Sequence, residues 1–125
     1  MRQSPKKVSL ELGSGGKLMR DFISRHIVPA FRNPFLGELA DASHLPAGVA
    51  FTTDSYVVDP IFFPGGEIGS VALNGTAHDL VVSGARPRFI SLALILEEGL
   101  AWDDLEKILR SIKSAAKSAG VLVAT

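Results

Sequence analysis

The sequence predicts a mixed fold of helices and strands, α/β or α+β, on three observations. Strand-like and helix-like segments alternate along the whole chain. Two runs, "GVAFTTDSYVV" (48–58) and "PRFISLALIL" (87–96), are β-branched, aromatic and apolar enough to be strands. A third segment, "WDDLEKILRSIKSAAKSAG" (102–120), repeats apolar residues at helical spacing. The chain has 125 residues, 46% of them hydrophobic, which suffices for one domain with a real core. One domain over 1–125 is expected.

The elements follow in order. "KVSLEL" (7–12) alternates polar and apolar residues and predicts a short strand with one wet face. "GSGGK" (Gly13–Lys17) is a flexible loop. Leu18, Phe22, Ile23 and Ile27 then sit at helical spacing, so a helix is expected to about Pro29, with a turn at Asn33-Pro34. After the strand at 48–58, "DPIFFPGG" (59–66) reads as an irregular connection because of its prolines and glycine pair. A helix is expected over 67–83, with Ile68, Val71, Ala72 and Leu80 on a face for close packing and Gly84 at a left-handed cap. The run at 87–96 is nearly continuous apolar sequence, which predicts a strand buried on both faces. In the last helix Leu105, Ile108, Leu109, Ile112 and Ala116 form the buried stripe. Asp103 and Asp104 suit its positive end, and Gly120 suits its C-terminal stop. "VLVAT" (121–125) begins another strand, and its position at the end of the sequence leads us to expect a truncated frame.

Composition narrows the chemistry. Lys+Arg and Asp+Glu balance at 13 each, so no basic field points to nucleic acid. There is no cysteine, hence no disulfide, thiolate metal site or thiol nucleophile within this chain; a cytoplasmic location fits. No apolar run is long enough for a signal peptide or reaches the ~20 residues of a membrane helix. His26, His44 and His78 lack zinc spacing, and no Ser/His/Asp arrangement is legible. Arg86 and Arg88 either reach phosphate or are edge charges facing solvent.

Three acids stand at places that structure alone does not require: Asp41 in a loop, Asp54 within a strand, Asp79 in a helix. A buried, unpaired carboxylate costs on the order of several kcal/mol, so such acids are paired, protonated or bound to a cation. Converging carboxylates, with phosphate oxygens and waters, suit Mg2+. The pattern equally allows Asp54 to face solvent, Asp41 to cap a turn and Asp79 to lie on a wet helix face. "GSGGK" offers backbone N–H groups and a lysine suited to phosphate, though it lacks the Walker A spacing and is equally a plain glycine turn.

Taken together, "GSGG", "NPFLGELADAS", "TTDSYVV", "FFPGG" and "DLVVSGARP" resemble the amino-terminal domain of the HypE family of hydrogenase expression/formation proteins. These belong with aminoimidazole ribonucleotide synthetase, selenophosphate synthetase and thiamine-monophosphate kinase in one superfamily. The resemblance covers about 8–123. It implies an α+β fold with a mixed sheet, helices on one face, and strands that join a second subunit's in a dimeric barrel-like sheet. It implies ATP and Mg2+ as cofactors, and ATP-dependent dehydration of a cysteine-bound carbamoyl group to a thiocyanate, the source of cyanide for [NiFe]-hydrogenase iron. HypF-, HypC- and HypD-type partners are implied too. By resemblance Asp41, Asp54 and Asp79 hold the metal, while Gly13, Ser14, Gly15, Gly16, Lys17, Thr53 and Asp54 bind the nucleotide. The family's second half, opening with a Gly-Asp-Thr-Lys segment and closing on a cysteine, is expected beyond Thr125. Three positions depart from the pattern: Leu12 replaces a histidine, Ala40 an aspartate and His78 an asparagine. They keep a second reading open, a non-catalytic dimerisation or partner-binding remnant. A sister kinase or synthetase fits less well, because "FFPGG" is followed by "EIGS".

Overall fold

Residues 7–37 and 39–125 are described here from a computed structural model. Backbone contacts divide the chain at Leu39–Ala40 into two compact units.

In the first unit the strand expected at 7–12 does not form. Instead Leu10–Gly13 is one 3-10 turn, closed by the Leu12 N–H donating to the Ser9 carbonyl at 3.2 Å. A strand needs a second backbone beside it, and no strand lies in this unit among the described residues. Helix α1 spans Gly16–Phe22 and runs on through a π-turn at Ile23–Ile27 to a last helical turn at Val28–Ala30. Pro29 has no N–H and cannot continue an α-ladder, and the ladder widens in the turn before it.

The second unit holds three two-stranded pieces and two helices. Strand β1 (Ser43–Leu45) pairs antiparallel with β2 (Val49–Phe51), His44 opposite Ala50. Strand β3 (Phe62–Phe63) pairs antiparallel with β4 (Gly66–Glu67) across the Pro64-Gly65 turn, so the connection expected to be irregular contains a hairpin. Helix α2 spans Ile68–Val82 and α3 spans Trp102–Ala119, and both end on a left-handed glycine within two residues, Gly84 and Gly120, as expected. Strand β5 (Phe89–Ile90) runs parallel to β6 (Leu122–Val123), with α3 as the crossover between them.

The core lies where α2 packs on α3. Leu73 meets Ile108, Ile112 and Ala116, with Ile61, Phe62, Ile68, Ile90 and Leu92 against them. The predicted stripe of α3 is buried except at Leu109, which is 41% exposed: α2 covers a narrower face than the sequence pattern offers. The two long strands are corrected more deeply. Of 48–58 only Val49–Phe51 is strand, and of 87–96 only Phe89–Ile90. Beyond these, Arg88 and Leu92 bond to the chain's last residues, the Leu122 N–H donating to the Arg88 carbonyl and the Leu92 N–H to the Thr125 carbonyl. Most of the remainder pairs with no strand among the described residues, and Val57 and Ile95 are almost wholly exposed, at 96% and 102%. The expected mixed sheet is therefore three separate pieces, and the run at 87–96 is not buried on both faces.

Candidate functional site

The segment that leaves β2 passes alongside α2, and the acids gather there. Asp41 precedes β1, and its carbonyl accepts from the Thr52 hydroxyl at 2.8 Å, which ties its loop to the end of β2. Thr53 and Asp54 follow on the exposed, unpaired stretch. Asp79 lies half-buried on α2. Burial pushes the Asp79 carboxyl above its usual range, and the charge of Asp54, a hydrogen bond shared with it and the charge of Asp41 push the same way; His78 pulls back. Carboxylates this close repel when all are ionised, so the cluster favours a bound proton or a bound cation.

Asp54 has a further neighbour. The Tyr56 hydroxyl donates to Asp54 Oδ2 at 3.4 Å. Burial raises the Tyr56 pKa; a hydrogen bond with Thr76 opposes this, and the charges of Asp54 and Asp79 support it. The phenol therefore stays protonated and a donor. Beside the acids lies a pocket of about 120 Å³, lined by Phe51, Thr52, Thr53, Asp54, Thr76 and Leu80 among others. Its lining combines the hydroxyls of Thr52, Thr53 and Thr76 and the Asp54 carboxylate with apolar side chains. Among the described residues no three His, Cys, Asp or Glu side chains are already arranged around one point as metal ligands. The donor set is nevertheless all oxygen, the chemistry a hard cation such as Mg2+ takes, with a phosphate group and water completing the shell.

The glycine loop belongs to the first unit. Gly13 ends the 3-10 turn, and the Ser14 hydroxyl is spent on the Glu11 carbonyl at 2.8 Å. Gly15 and Gly16 take φ of 81° and 71°, and each faces open space where a side chain would stand. Lys17 is exposed in the first turn of α1, and Leu12, at the histidine position, is half-buried. The sequence reading missed Tyr56 and Thr76. Both had a signal. Tyr56 stands two residues after Asp54 on an extended run, and Thr76 three residues before Asp79 on a helix, the spacings that put side chains on one face.

The chain is similar to known proteins over most of its length. The family model described as AIR synthase related protein, N-terminal domain, matches residues 40–125. The carbamoyl dehydratase HypE of Escherichia coli (strain K12) is 44% identical over 94% of this chain, which spans only 38% of that relative's length. A crystal structure of a HypE-HypF complex superposes with a TM-score of 0.77 at 43% identity, over 82% of this chain and 34% of the other. Hydrogenase maturation protein HypE in complex with ATP gives 0.54 at 46% identity, over 91% and 36%. With a family model covering its entire second unit, the chain belongs to the AIR synthase related family, and over nearly its whole length it is similar to HypE proteins.

Proposed function

We propose that this chain forms the nucleotide- and Mg2+-binding half of a carbamoyl dehydratase of HypE type. The observation that carries the proposal is the gathering of Asp41, Asp54 and Asp79 beside a pocket lined in part by hydroxyls. Its support is the similarity to HypE proteins, one of which is known in complex with ATP. In this reading the three aspartates hold Mg2+ and Thr53 and Asp54 meet the nucleotide in the second unit, while in the first unit the amides of Gly13, Ser14, Gly15 and Gly16 and the Lys17 ammonium form by themselves a loop suited to phosphate. An ion held by Asp41, Asp54 and Asp79 would supply positive charge against the phosphates, the chemistry that phosphoryl transfer to a carbamoyl oxygen would need. The aspartates could position the phosphates only through such a cation, since carboxylate and phosphate repel each other directly. The cysteine that carries the carbamoyl group, and that becomes the thiocyanate, lies outside these 125 residues, none of which is cysteine.

Calorimetric titration with ATP, with and without Mg2+, tests this. Binding that appears only with Mg2+ is expected. A chain joined to a HypE second half that still binds no ATP would overturn the proposal in favour of a non-catalytic remnant, the reading that Leu12, Ala40 and His78 favour.

The proposal extends to assembly. A homodimer whose strands join in a barrel-like sheet would cover Val57, Leu94, Ile95 and Leu96, which stand exposed. Light scattering at micromolar concentration is expected to give twice the chain's 13.3 kDa; a well-behaved monomer would rule the dimer out. A HypF-type partner is supported by the HypE-HypF complex, and HypC- and HypD-type partners follow from the proposed reaction alone. No helix among the described residues is long and apolar enough to cross a membrane, and we place the reaction in the cytoplasm.

A further inference from the structure

Tyr56 has no part in the reading above, yet its setting is specific. The hydroxyl end of its ring comes so close to α2 that a side chain at position 75 would displace it. A Cβ built on Gly75 would stand 2.9 Å from Tyr56 Cζ and 3.3 Å from Cε1, and would overlap the hydroxyl. Gly75 is in mid-helix, where glycine is otherwise a poor choice beside alanine. The missing methyl makes room for the phenol. The same hydroxyl donates to Asp54 Oδ2 at 3.4 Å. Asp54 itself sits on a stretch without strand partners, so its backbone alone does not fix where its carboxylate points.

We propose that Tyr56 is a positioning residue: seated on Gly75, it holds the Asp54 carboxylate facing Asp79. The inference rests on the metal-site reading for its functional consequence but not for its geometry. Restricting one carboxylate before a cation arrives lowers the ordering that binding must impose. Phenylalanine at position 56 keeps the ring and removes only the donor.

The chain contains one tyrosine, so ring signals in NMR are unambiguous. In the wild-type chain, nuclear Overhauser contacts from this ring to the Gly75 Hα and the Asp54 Hβ protons are expected; their absence overturns the assignment without any variant. Three-bond couplings are expected to show one Asp54 χ1 rotamer in the wild type and an average in Tyr56→Phe. Gly75→Ala, which pushes the phenol away while leaving it present, is expected to free Asp54 in the same manner. The Tyr56→Phe chain is further expected to bind ATP with Mg2+ about fivefold more weakly, the scale of one ordinary hydrogen bond lost, as suits a contact of 3.4 Å, with an unchanged melting temperature. An Asp54 rotamer equally fixed in the wild type and both variants overturns the proposal. A wild-type chain that keeps the rotamer but binds no ATP strikes the nucleotide reading alone and leaves the positioning role standing.

Discussion

Replacing Asp54 with asparagine is expected to weaken Mg2+-dependent ATP binding by about 100-fold, the upper end of what altering a metal site's immediate surroundings costs. Asparagine keeps the size and one acceptor oxygen but removes the charge that a hard cation needs. Asp59→Asn, on the exposed loop ahead of Pro60, is the control and is expected to stay within about twofold, as surface changes do. Equal effects of the two would remove Asp54 from the metal site. The same substitution should act on stability with the opposite sign. Asp79 is held above its usual range by burial and then by Asp54 and Asp41. A carboxyl whose folded pKa is raised binds its proton more tightly in the native state. Stability is then highest below its unfolded pKa and falls as pH rises through the window up to the folded value. Asp54→Asn removes one of the repelling charges, lowers the Asp79 pKa and relieves that loss. The metal-free Asp54→Asn chain should therefore melt higher than the wild type above that window, while binding the cation worse. Loss of binding together with a lower melting temperature would mean that Asp54 is merely structural. Cation affinity carries the same dependence: it falls in the wild type as pH drops through the raised Asp79 value, and in Asp54→Asn that fall moves to lower pH.

The opposite signs reflect how such a site is made, and they bear on what was legible in the sequence. Helix α3 was readable almost residue by residue, because its apolar spacing, its N-terminal aspartates and Gly120 all agree. The long strands were not. Their composition is right for a sheet, but a strand is defined by the backbone beside it, and most of 52–58 and 91–97 has none among the described residues. The composition signals a neighbouring backbone without saying which one. Similarly, "KVSLEL" alternates well, yet a local 3-10 turn closes first. The acids were suspected because charge is rare in apolar runs. Their mutual approach depends on the packing of α2 beside the segment after β2, which periodicity does not reach. Tyr56 escaped because a tyrosine in a strand-like run needs no explanation until its hydroxyl is seen to meet a carboxylate.

Glu67→Ala is expected to destabilise the second unit by about 3 kcal/mol, roughly the loss of a helix cap together with hydrogen bonds to a charged acceptor. The sequence reading put Glu67 inside the helix; it stands before α2 as its N-cap. Its Oε2 accepts from the Gly69 N–H at 2.6 Å and its Oε1 from the Ser70 N–H at 2.6 Å. Oε1 also accepts from the Ser111 hydroxyl, which lies on α3. One carboxylate thus satisfies the free amides of one core helix and ties it to the other, at the point where α2 and α3 form the hydrophobic contact. Against the ~5–15 kcal/mol total of a typical domain this is a large fraction, and a fall in melting temperature of about 10 °C is expected. Ser111→Ala removes one bond and should cost about 1 kcal/mol. Burial raises the Glu67 pKa, but the Ser111 hydroxyl and the amides of Ser70 and Gly69 outweigh it and bring the carboxylate below its ordinary 4.5. A lowered folded pKa places the stabilisation above the unfolded value and removes it as pH falls through the folded one. The gap between wild type and Glu67→Gln, which keeps an acceptor but not the charge, should be constant above 4.5 and close in stronger acid. A gap that persists there would assign the loss to shape rather than charge. Because the cap orients α2, it also orients Asp79 near the other end of that helix, so Glu67→Ala should weaken cation binding only in proportion to the unfolded fraction. A larger loss in the fully folded population would make Glu67 part of the site.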